Sequence, residues 1–191
     1  WIIPLWWDEY VLDRTIGLQF LIGKSQEVFG RNMFAAYLPT TTAAILMLFI
    51  TYKLHEEFFN KKYAILSPLI LATTFLWFDY SHLATQDIVY SCLVTLGIFS
   101  LVKVKSKDNK FYILLFGIWI GLSFMMKTFL VIVPLVSLSP YLFIKKNILF
   151  NKLFWLGLLI GFVPFLSWAL FINPYIEKNI IFYLFEKFTT L

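Results

Sequence analysis

The sequence predicts an all-α membrane protein with about six transmembrane helices, preceded by a loop that carries an interfacial helix. Hydrophobic residues make up 60% of the 191 positions and charged residues only 14%, whereas soluble domains have roughly 45–50% and about 25%. The apolar residues are gathered into blocks close to the roughly 20 residues that a helix needs to cross a bilayer. The lysines lie mainly in short segments between these blocks. A soluble globular protein is therefore excluded.

Six apolar blocks predict the spanning helices. In chain order they are Phe34–Leu54, Tyr63–Ser81, Ile88–Val104, Phe111–Met126, Thr128–Ile144 and Leu153–Asn173. Helices are required because open strands would leave unpaired backbone groups in the hydrocarbon. The fourth and fifth blocks are short, and only Lys127 separates them. They fit one bent helix or a tight hairpin, and the charge of Lys127 together with Thr128 favours the hairpin.

The remaining segments flank this transmembrane region, which covers residues 34–173. Residues 1–33 hold no block long enough to span, and we interpret them as an outer-face loop. Within this loop we expect a helix over Ile16–Phe29. It would lie at the membrane interface, with its aromatic side chains at headgroup depth. Residues 174–191 are expected to begin another outer-face loop. Because the chain does not begin with Met, we expect a single-domain internal fragment of a longer protein.

The lysine-rich loops predict the orientation of the chain. Segments 55–62, 103–110 and 145–152 hold nine lysines between them. With alternating spans these loops share one side, which the positive-inside rule makes cytoplasmic. The turn at 82–87 and Lys127 then face outward. Orientation therefore explains the net charge of +5, and no nucleic-acid partner is predicted.

Charged side chains of both signs gather on the predicted outer side. They are Asp8, Glu9, Asp13, Arg14, Asp79, His82, Asp87 and Lys127. Carboxylates at such a face can position or deprotonate an acceptor group. Cations there can hold a phosphate and stabilise it as it leaves. Arg14 suits bidentate phosphate contact, whereas Lys127 acts as a point charge.

Each of these residues also has a simpler interpretation. Asp87 can cap a helix that starts at Ile88, Lys127 can be a solvated turn residue, and His82 can be an interfacial polar residue. No metal site is predicted, because His82 and Asp87 lie five positions apart with no further histidine nearby. A divalent-metal requirement stays open, and no other cofactor motif is present: the sequence holds no glycine-rich phosphate loop and no CxxC pair.

Four sequence stretches together resemble one enzyme family. They are WIIP with LDRTIGLQF, FGRNMFAAYLP, HLATQDIVY and GLSFMMKTF. They are similar to the W-x-x-P element with its acid-Lys-Pro triplet, the F-G…R-x-P element, the R-x-A-x-x-D turn and the G-L-x-x-x-x-K segment of C-type membrane glycosyltransferases. These enzymes use lipid-phosphate sugars and include relatives of protein mannosyltransferases and lipid A aminoarabinose transferases. The resemblance covers most of residues 1–145.

The resemblance implies roles for five residues. Asp87 and Asp13 would be catalytic, while Arg14, Lys127 and His82 would bind the lipid phosphate. The family's first acid, commonly part of an Asp-Glu pair after the first helix, is expected upstream of this chain.

The motifs also depart from the family pattern at four positions. Thr15 replaces the triplet proline, Arg14 the lysine, and His82 the arginine of the third motif. Tyr37 stands where an arginine is expected before Pro39. Arg14 keeps the positive charge, but His82 is only partly charged near neutrality. The departures indicate a divergent branch.

The resemblance implies a polytopic glycosyltransferase of the bacterial inner membrane with its active site on the outer, periplasmic face. The expected partners are the bilayer, a polyprenyl-phosphate sugar donor and a lipid, glycan or protein acceptor. The alternative is a transporter or flippase segment for a lipid-linked or anionic solute, which would use the same charges for binding. Against it, the charges lie at the predicted membrane face and not at the midplane. A purely structural membrane subunit leaves the outer charges unexplained.

Overall fold

The protein is an all-α integral membrane protein, as the sequence predicts. The structure is a computed structural model that describes residues 5–6, 9–10, 15–104, 109–175, 182 and 185–186. Within these residues four helical stretches are long and apolar enough to cross a membrane, or five if one bent pair of helices is a single span. The four are Met33–Phe58, Gln86–Lys103, Lys110–Ile144 and Lys152–Ile172, and the bent pair is Lys61–Thr73 with Phe75–Ser81.

The N-terminal region contains a short ladder and one helix. Strand β1 (Leu5–Trp6) pairs antiparallel with strand β2 (Glu9–Tyr10), an arrangement that the sequence analysis does not predict. The helix expected over Ile16–Phe29 is present as α1 (Gly17–Phe29). Its location at the outer membrane interface stays a prediction.

A short connection joins α1 to the first long helix, α2 (Met33–Phe58). Gly30 ends α1 with a φ of +81°, a conformation that glycine adopts without steric cost. The Asn32 side chain accepts a hydrogen bond from the Ala35 N–H at 2.8 Å and caps α2. Its amide donates back to the Phe29 carbonyl at 2.9 Å. Ending α1 and capping α2 are thus local structural roles of the FGRN stretch, apart from any family pattern.

The predicted span Tyr63–Ser81 is present as two helices. Helix α3 (Leu66–Thr73) and helix α4 (Phe75–Ser81) are bent by 71° at the break between them. The hydroxyls of Thr73 and Thr74 donate to carbonyl groups one turn earlier, at 3.0 and 2.9 Å. Such side-chain bonds to the backbone allow a helix to break at membrane depth, because they occupy carbonyls near the interrupted ladder.

The next three helices form a compact group. They are α5 (Gln86–Lys103), α6 (Lys110–Lys127) and α7 (Ile132–Ile144), with a 3-10 turn over Thr128–Val131. Asn109 Nδ2 donates to the Lys103 carbonyl at 2.9 Å, so the end of α5 lies beside the start of α6. Lys145 Nζ, directly after α7, donates to the Val104 carbonyl at 3.0 Å.

These contacts require α7 to run back beside α6. A continuous helix over Lys110–Ile144 would be about 52 Å long and would carry Lys145 far from the start of α6. The arrangement agrees with the hairpin interpretation. However, α7 has only 13 residues, fewer than the roughly 20 that cross a bilayer. The predicted count of six spans is therefore not confirmed.

The closest helix pairing joins α6 to α8 (Lys152–Ile172). Gly117 and Gly121 of α6 lie against α8 at Gly157 and Gly161. A Cβ added at Gly117 would lie 2.3 Å from a backbone oxygen of α8, and one at Gly121 would lie 2.5 Å from the carbonyl carbon of Gly161. Glycines four residues apart on both helices thus let the two backbones touch, as in small-residue packing of membrane helices.

Charged groups collect at two opposite ends of the helices. The end of α5 carries Lys103, whose ammonium contacts the Glu57 carboxylate, and the Lys145 contact lies nearby. This end holds the described parts of the three lysine-rich loops. Asp87 lies at the other end of α5, which is 18 residues or about 27 Å long. That the lysine-rich end faces the cytoplasm stays a prediction.

Candidate functional site

An ion pair joins two of the predicted site residues. Lys127 Nζ donates to Asp87 Oδ1 at 2.7 Å. The Asp87 side chain is 50% exposed and that of Lys127 is 25% exposed. Solvent-exposed ion pairs contribute only about 0–1 kcal/mol to stability. Both groups are therefore accessible to a ligand and are not needed to hold the fold.

Helix ends place both charges. Asp87 lies in the first turn of α5 and Lys127 in the last turn of α6, which are the favourable positions for an anion and a cation in the field of the helix dipole. Helix α5 begins at Gln86, with Thr85 at the cap position. The predicted cap position of Asp87, with a helix starting at Ile88, is therefore wrong, but Asp87 does lie in the first turn, where a helix favours an acid.

A short turn follows Lys127 and fixes its surroundings. Thr128 has a φ of +44°, which is costly for a β-branched residue and ends α6 abruptly. The Tyr90 hydroxyl of α5 donates to the Leu130 carbonyl of this turn at 3.0 Å. This hydrogen bond thus links α5 to the turn that follows α6, one helical turn along α5 from Asp87.

The segment that begins at Thr15 enters the same region. Gln86 Nε2 donates to the Thr15 carbonyl at 3.0 Å. Ile16 packs in a buried cluster with Met125 and with Trp168 of α8. The predicted residues Asp13 and Arg14 lie outside the described residues, directly before Thr15 in the sequence.

His82 does not join the ion pair in the described part of the chain. Its Nδ1 lies 2.7 Å from the Phe78 carbonyl, and its ring packs against the Phe78 ring with centroids 5.5 Å apart. Both contacts are with its own neighbour on α4. The predicted role of His82 in phosphate binding gains no support from this geometry. Across the described residues, no group of three or more His, Cys, Asp or Glu side chains is arranged to hold a metal ion.

An apolar groove lies at the end of α5 and α6 that carries the ion pair. Its volume is about 600 Å³, and four helices line it: α1 with Phe20 and Leu21, α5 with Val89 and Leu93, α6 with Leu122, Met125 and Met126, and α8 with Pro164, Trp168 and Phe171. Met126 directly precedes Lys127, and Val89 lies two residues after Asp87. The groove therefore lies at the same ends of α5 and α6 as the two charges, which are not among its lining residues. No sequence motif marks it, because apolar residues line both grooves and lipid-facing surfaces.

Comparisons with known proteins place this chain in a family. Residues 13–171 match the family described as dolichyl-phosphate-mannose-protein mannosyltransferase. Undecaprenyl phosphate-alpha-4-amino-4-deoxy-L-arabinose arabinosyl transferase 2 of Proteus mirabilis is 25% identical over 182 residues, covering 92% of this chain and 32% of that protein. The undecaprenyl phosphate-alpha-4-amino-4-deoxy-L-arabinose arabinosyl transferase of an Enterobacter species is 26% identical over 159 residues, covering 77% of this chain and 28% of that protein.

Solved structures share the fold. ArnT from Cupriavidus metallidurans bound to undecaprenyl phosphate matches with a TM-score of 0.80 and 15% identity, over 94% of this chain and 35% of that one. The same protein in the apo state matches with a TM-score of 0.80 and 14% identity, over 97% and 36%. The chain thus spans about a third of the length of the proteins it matches.

Proposed function

Because this chain belongs to the dolichyl-phosphate-mannose-protein mannosyltransferase family, as its four motifs predict, we propose that it forms part of a membrane glycosyltransferase. The enzyme moves a sugar from a polyprenyl-phosphate carrier to an acceptor at the outer face of the membrane. The names of the curated relatives specify undecaprenyl phosphate carrying a sugar. They support a polyprenyl carrier of this kind as the donor.

The observation that carries the proposal is that the Asp87–Lys127 pair and the apolar groove share the same ends of α5 and α6. A polyprenyl-phosphate sugar has a long apolar chain and a charged phosphate joined to the sugar. The groove suits the apolar chain, and Lys127 suits the phosphate. A transporter site would be expected near the membrane midplane, whereas these charges lie at helix ends.

Within this proposal each charged group has one task. The acceptor attacks the anomeric carbon of the sugar while the bond between that carbon and the phosphate oxygen breaks. Asp87 accepts a hydrogen bond from the acceptor and takes its proton. Lys127 and Arg14 neutralise the departing lipid phosphate, and Asp13 is the further catalytic carboxylate that the family motif implies. A single displacement of this type inverts the configuration at the anomeric carbon.

The proposal includes a location and an orientation. The enzyme lies in a bacterial inner membrane with the Asp87–Lys127 end outside and the lysine-rich end in the cytoplasm. The asymmetry of the lysines supports this orientation. The acceptor is a lipid, a glycan or a protein that reaches the outer face.

Cysteine labelling tests the orientation. Cys92, the single native cysteine, is buried, so a background of low reactivity already exists. We expect a membrane-impermeant maleimide to label Leu83→Cys in intact cells, because this exposed residue lies in the outward turn. Asn147→Cys, exposed in a lysine-rich loop, should react only after permeabilisation. The reverse pattern would contradict the proposed orientation.

Binding of undecaprenyl phosphate to the purified full-length protein tests the donor. We expect Lys127→Met to weaken binding by about 10- to 100-fold, because a charge-assisted hydrogen bond to phosphate is lost. Lys110→Met is the matched control, since this exposed lysine starts the same helix at its opposite end. It should bind undecaprenyl phosphate as the wild type does. Absence of binding by the wild type, or equal loss in both variants, would contradict the proposal.

A further inference from the structure

Gln86 is a buried amide directly beside the most exposed charge of the site. It is 6% exposed, whereas its neighbour Asp87 points outward to Lys127. A buried side-chain amide needs hydrogen-bond partners, and a lipid-facing role would favour an apolar residue at this position. The identity of its partner therefore indicates what Gln86 does.

That partner is the backbone of a distant segment. Gln86 Nε2 donates to the carbonyl of Thr15, 71 positions earlier, at 3.0 Å. Thr15 is 1% exposed, so water does not readily replace the bond. The hydroxyls of Thr15 and Thr85 are buried and make no hydrogen bond within the described residues. In this part of the chain the Gln86 amide is therefore a specific polar link between the two segments.

Close packing holds the same segment against the helix that carries Lys127. A Cβ at Gly17 would lie 2.6 Å from the Met125 carbonyl oxygen and 2.7 Å from Met126 Sδ. Leu18 packs with Val89 and Met126. The segment Thr15–Leu18 thus packs against both the start of α5 and the end of α6, the two helix ends that supply the ion pair.

We propose that Gln86 is a positioning residue: it fixes the segment Thr15–Leu18 against the ends of α5 and α6, and with it the point at which Arg14 is attached to that segment. This inference rests on the proposed function, in which Arg14 binds the lipid phosphate. Gln86 itself does not touch the substrate. It acts by fixing Thr15, the residue that directly follows Arg14 in the sequence.

A double-mutant cycle with Arg14 tests the inference, with undecaprenyl phosphate as the probe and the full-length protein as the sample. Gln86→Met keeps the side-chain length and removes the donor. We expect it to weaken binding about tenfold, the effect of one hydrogen bond. In the Arg14→Ala background the same change should have less than about a twofold effect, because the residue being positioned is gone.

Two further variants control for folding. Ser100→Ala removes another buried polar group from α5, whose hydroxyl bonds only within that helix to the Leu96 carbonyl in the described structure, and it should bind like the wild type. Gly17→Ala adds a Cβ that would clash with Met125 and Met126 of α6 and so displaces the same segment. It should weaken undecaprenyl phosphate binding as Gln86→Met does, and only when Arg14 is present. If Gln86→Met does not accumulate as folded protein, Gln86→Asn, whose amide is one methylene shorter, replaces it in the cycle.

The outcomes separate the two proposals. Equal losses from Gln86→Met in both backgrounds, or no loss in either, would overturn the positioning role while leaving the donor assignment intact. Normal binding by Arg14→Ala alone would also overturn it, because nothing would remain for Gln86 to position. Absence of undecaprenyl phosphate binding by the wild type would instead remove the proposed function itself.

Discussion

Replacing Asp87 by asparagine should lower the rate of sugar transfer by about 10²- to 10⁴-fold, the usual contribution of a positioned general base. Asparagine has nearly the same volume but cannot take the acceptor's proton. The fold should persist, since the exposed pair with Lys127 contributes only about 0–1 kcal/mol. Binding of undecaprenyl phosphate should be unchanged or tighter, because Lys127 no longer has a competing carboxylate partner. Loss of transfer without loss of binding is the signature of this role.

Single-turnover transfer from a labelled donor and equilibrium lipid binding measure the two effects separately. Asp79→Asn makes the same chemical change on α4, away from the ion pair, and should transfer at the wild-type rate. Full activity of Asp87→Asn would exclude Asp87 from the chemistry. Equal losses of transfer and of binding would assign it to the lipid phosphate site and not to the acceptor.

Alanine at two different glycines should have opposite effects on stability. At Gly121 the new Cβ would lie 2.5 Å from a backbone carbon of α8, so α6 and α8 must separate. We expect Gly121→Ala to lower the free energy of unfolding by about 1–3 kcal/mol, as for overpacked cores. At Gly97 the nearest atom would be Trp119 Cβ at 3.6 Å, an ordinary contact. Gly97→Ala should raise the free energy of unfolding by about 0.5–1 kcal/mol, because alanine favours the helix.

Unfolding of the two purified variants in mixed detergent micelles, followed by circular dichroism, measures this difference. Each glycine controls for the other, since the substitution is the same and both lie in apolar helices. Destabilisation of similar size at both positions would contradict the backbone contact between α6 and α8. Gly161→Ala should behave as Gly121→Ala does, because its Cβ would lie 2.3 Å from a backbone oxygen of α6.

Hydropathy predicts most of the helices but not their shapes. A spanning helix is recognisable because the bilayer requires a long apolar block, and α2, α5 and α8 follow the predicted blocks closely. The break at Thr74 has no comparable signal, since threonine also occurs inside regular helices. Its position depends on packing and on the hydroxyl bonds of Thr73 and Thr74. The spacing of Gly117 and Gly121 is visible in the sequence, but it does not specify α8 as the partner helix.

The candidate site divides in the same way. Asp87 and Lys127 are predictable because charges of both signs gather on the predicted outer side and because family motifs contain them. The contact between their side chains depends on the packing of α5 against α6, which places the start of one helix beside the end of the other. Gln86 carries no sequence signal, since its partner is a carbonyl group that every residue has. His82 occupies a motif position, yet its ring faces Phe78, which shows that a matching position does not specify a side-chain direction.

The glycine contact between α6 and α8 has a consequence for the apolar groove. Two backbones in direct contact cannot slide or part without losing that contact, so the groove wall formed by these helices is rigid. The facing wall is α1, which is attached through the Thr15–Leu18 segment and the connection at Asn32. Under the proposed function, the apolar chain of the carrier would rest against the fixed wall of α6 and α8, and the glycines would set the shape of the surface that it meets.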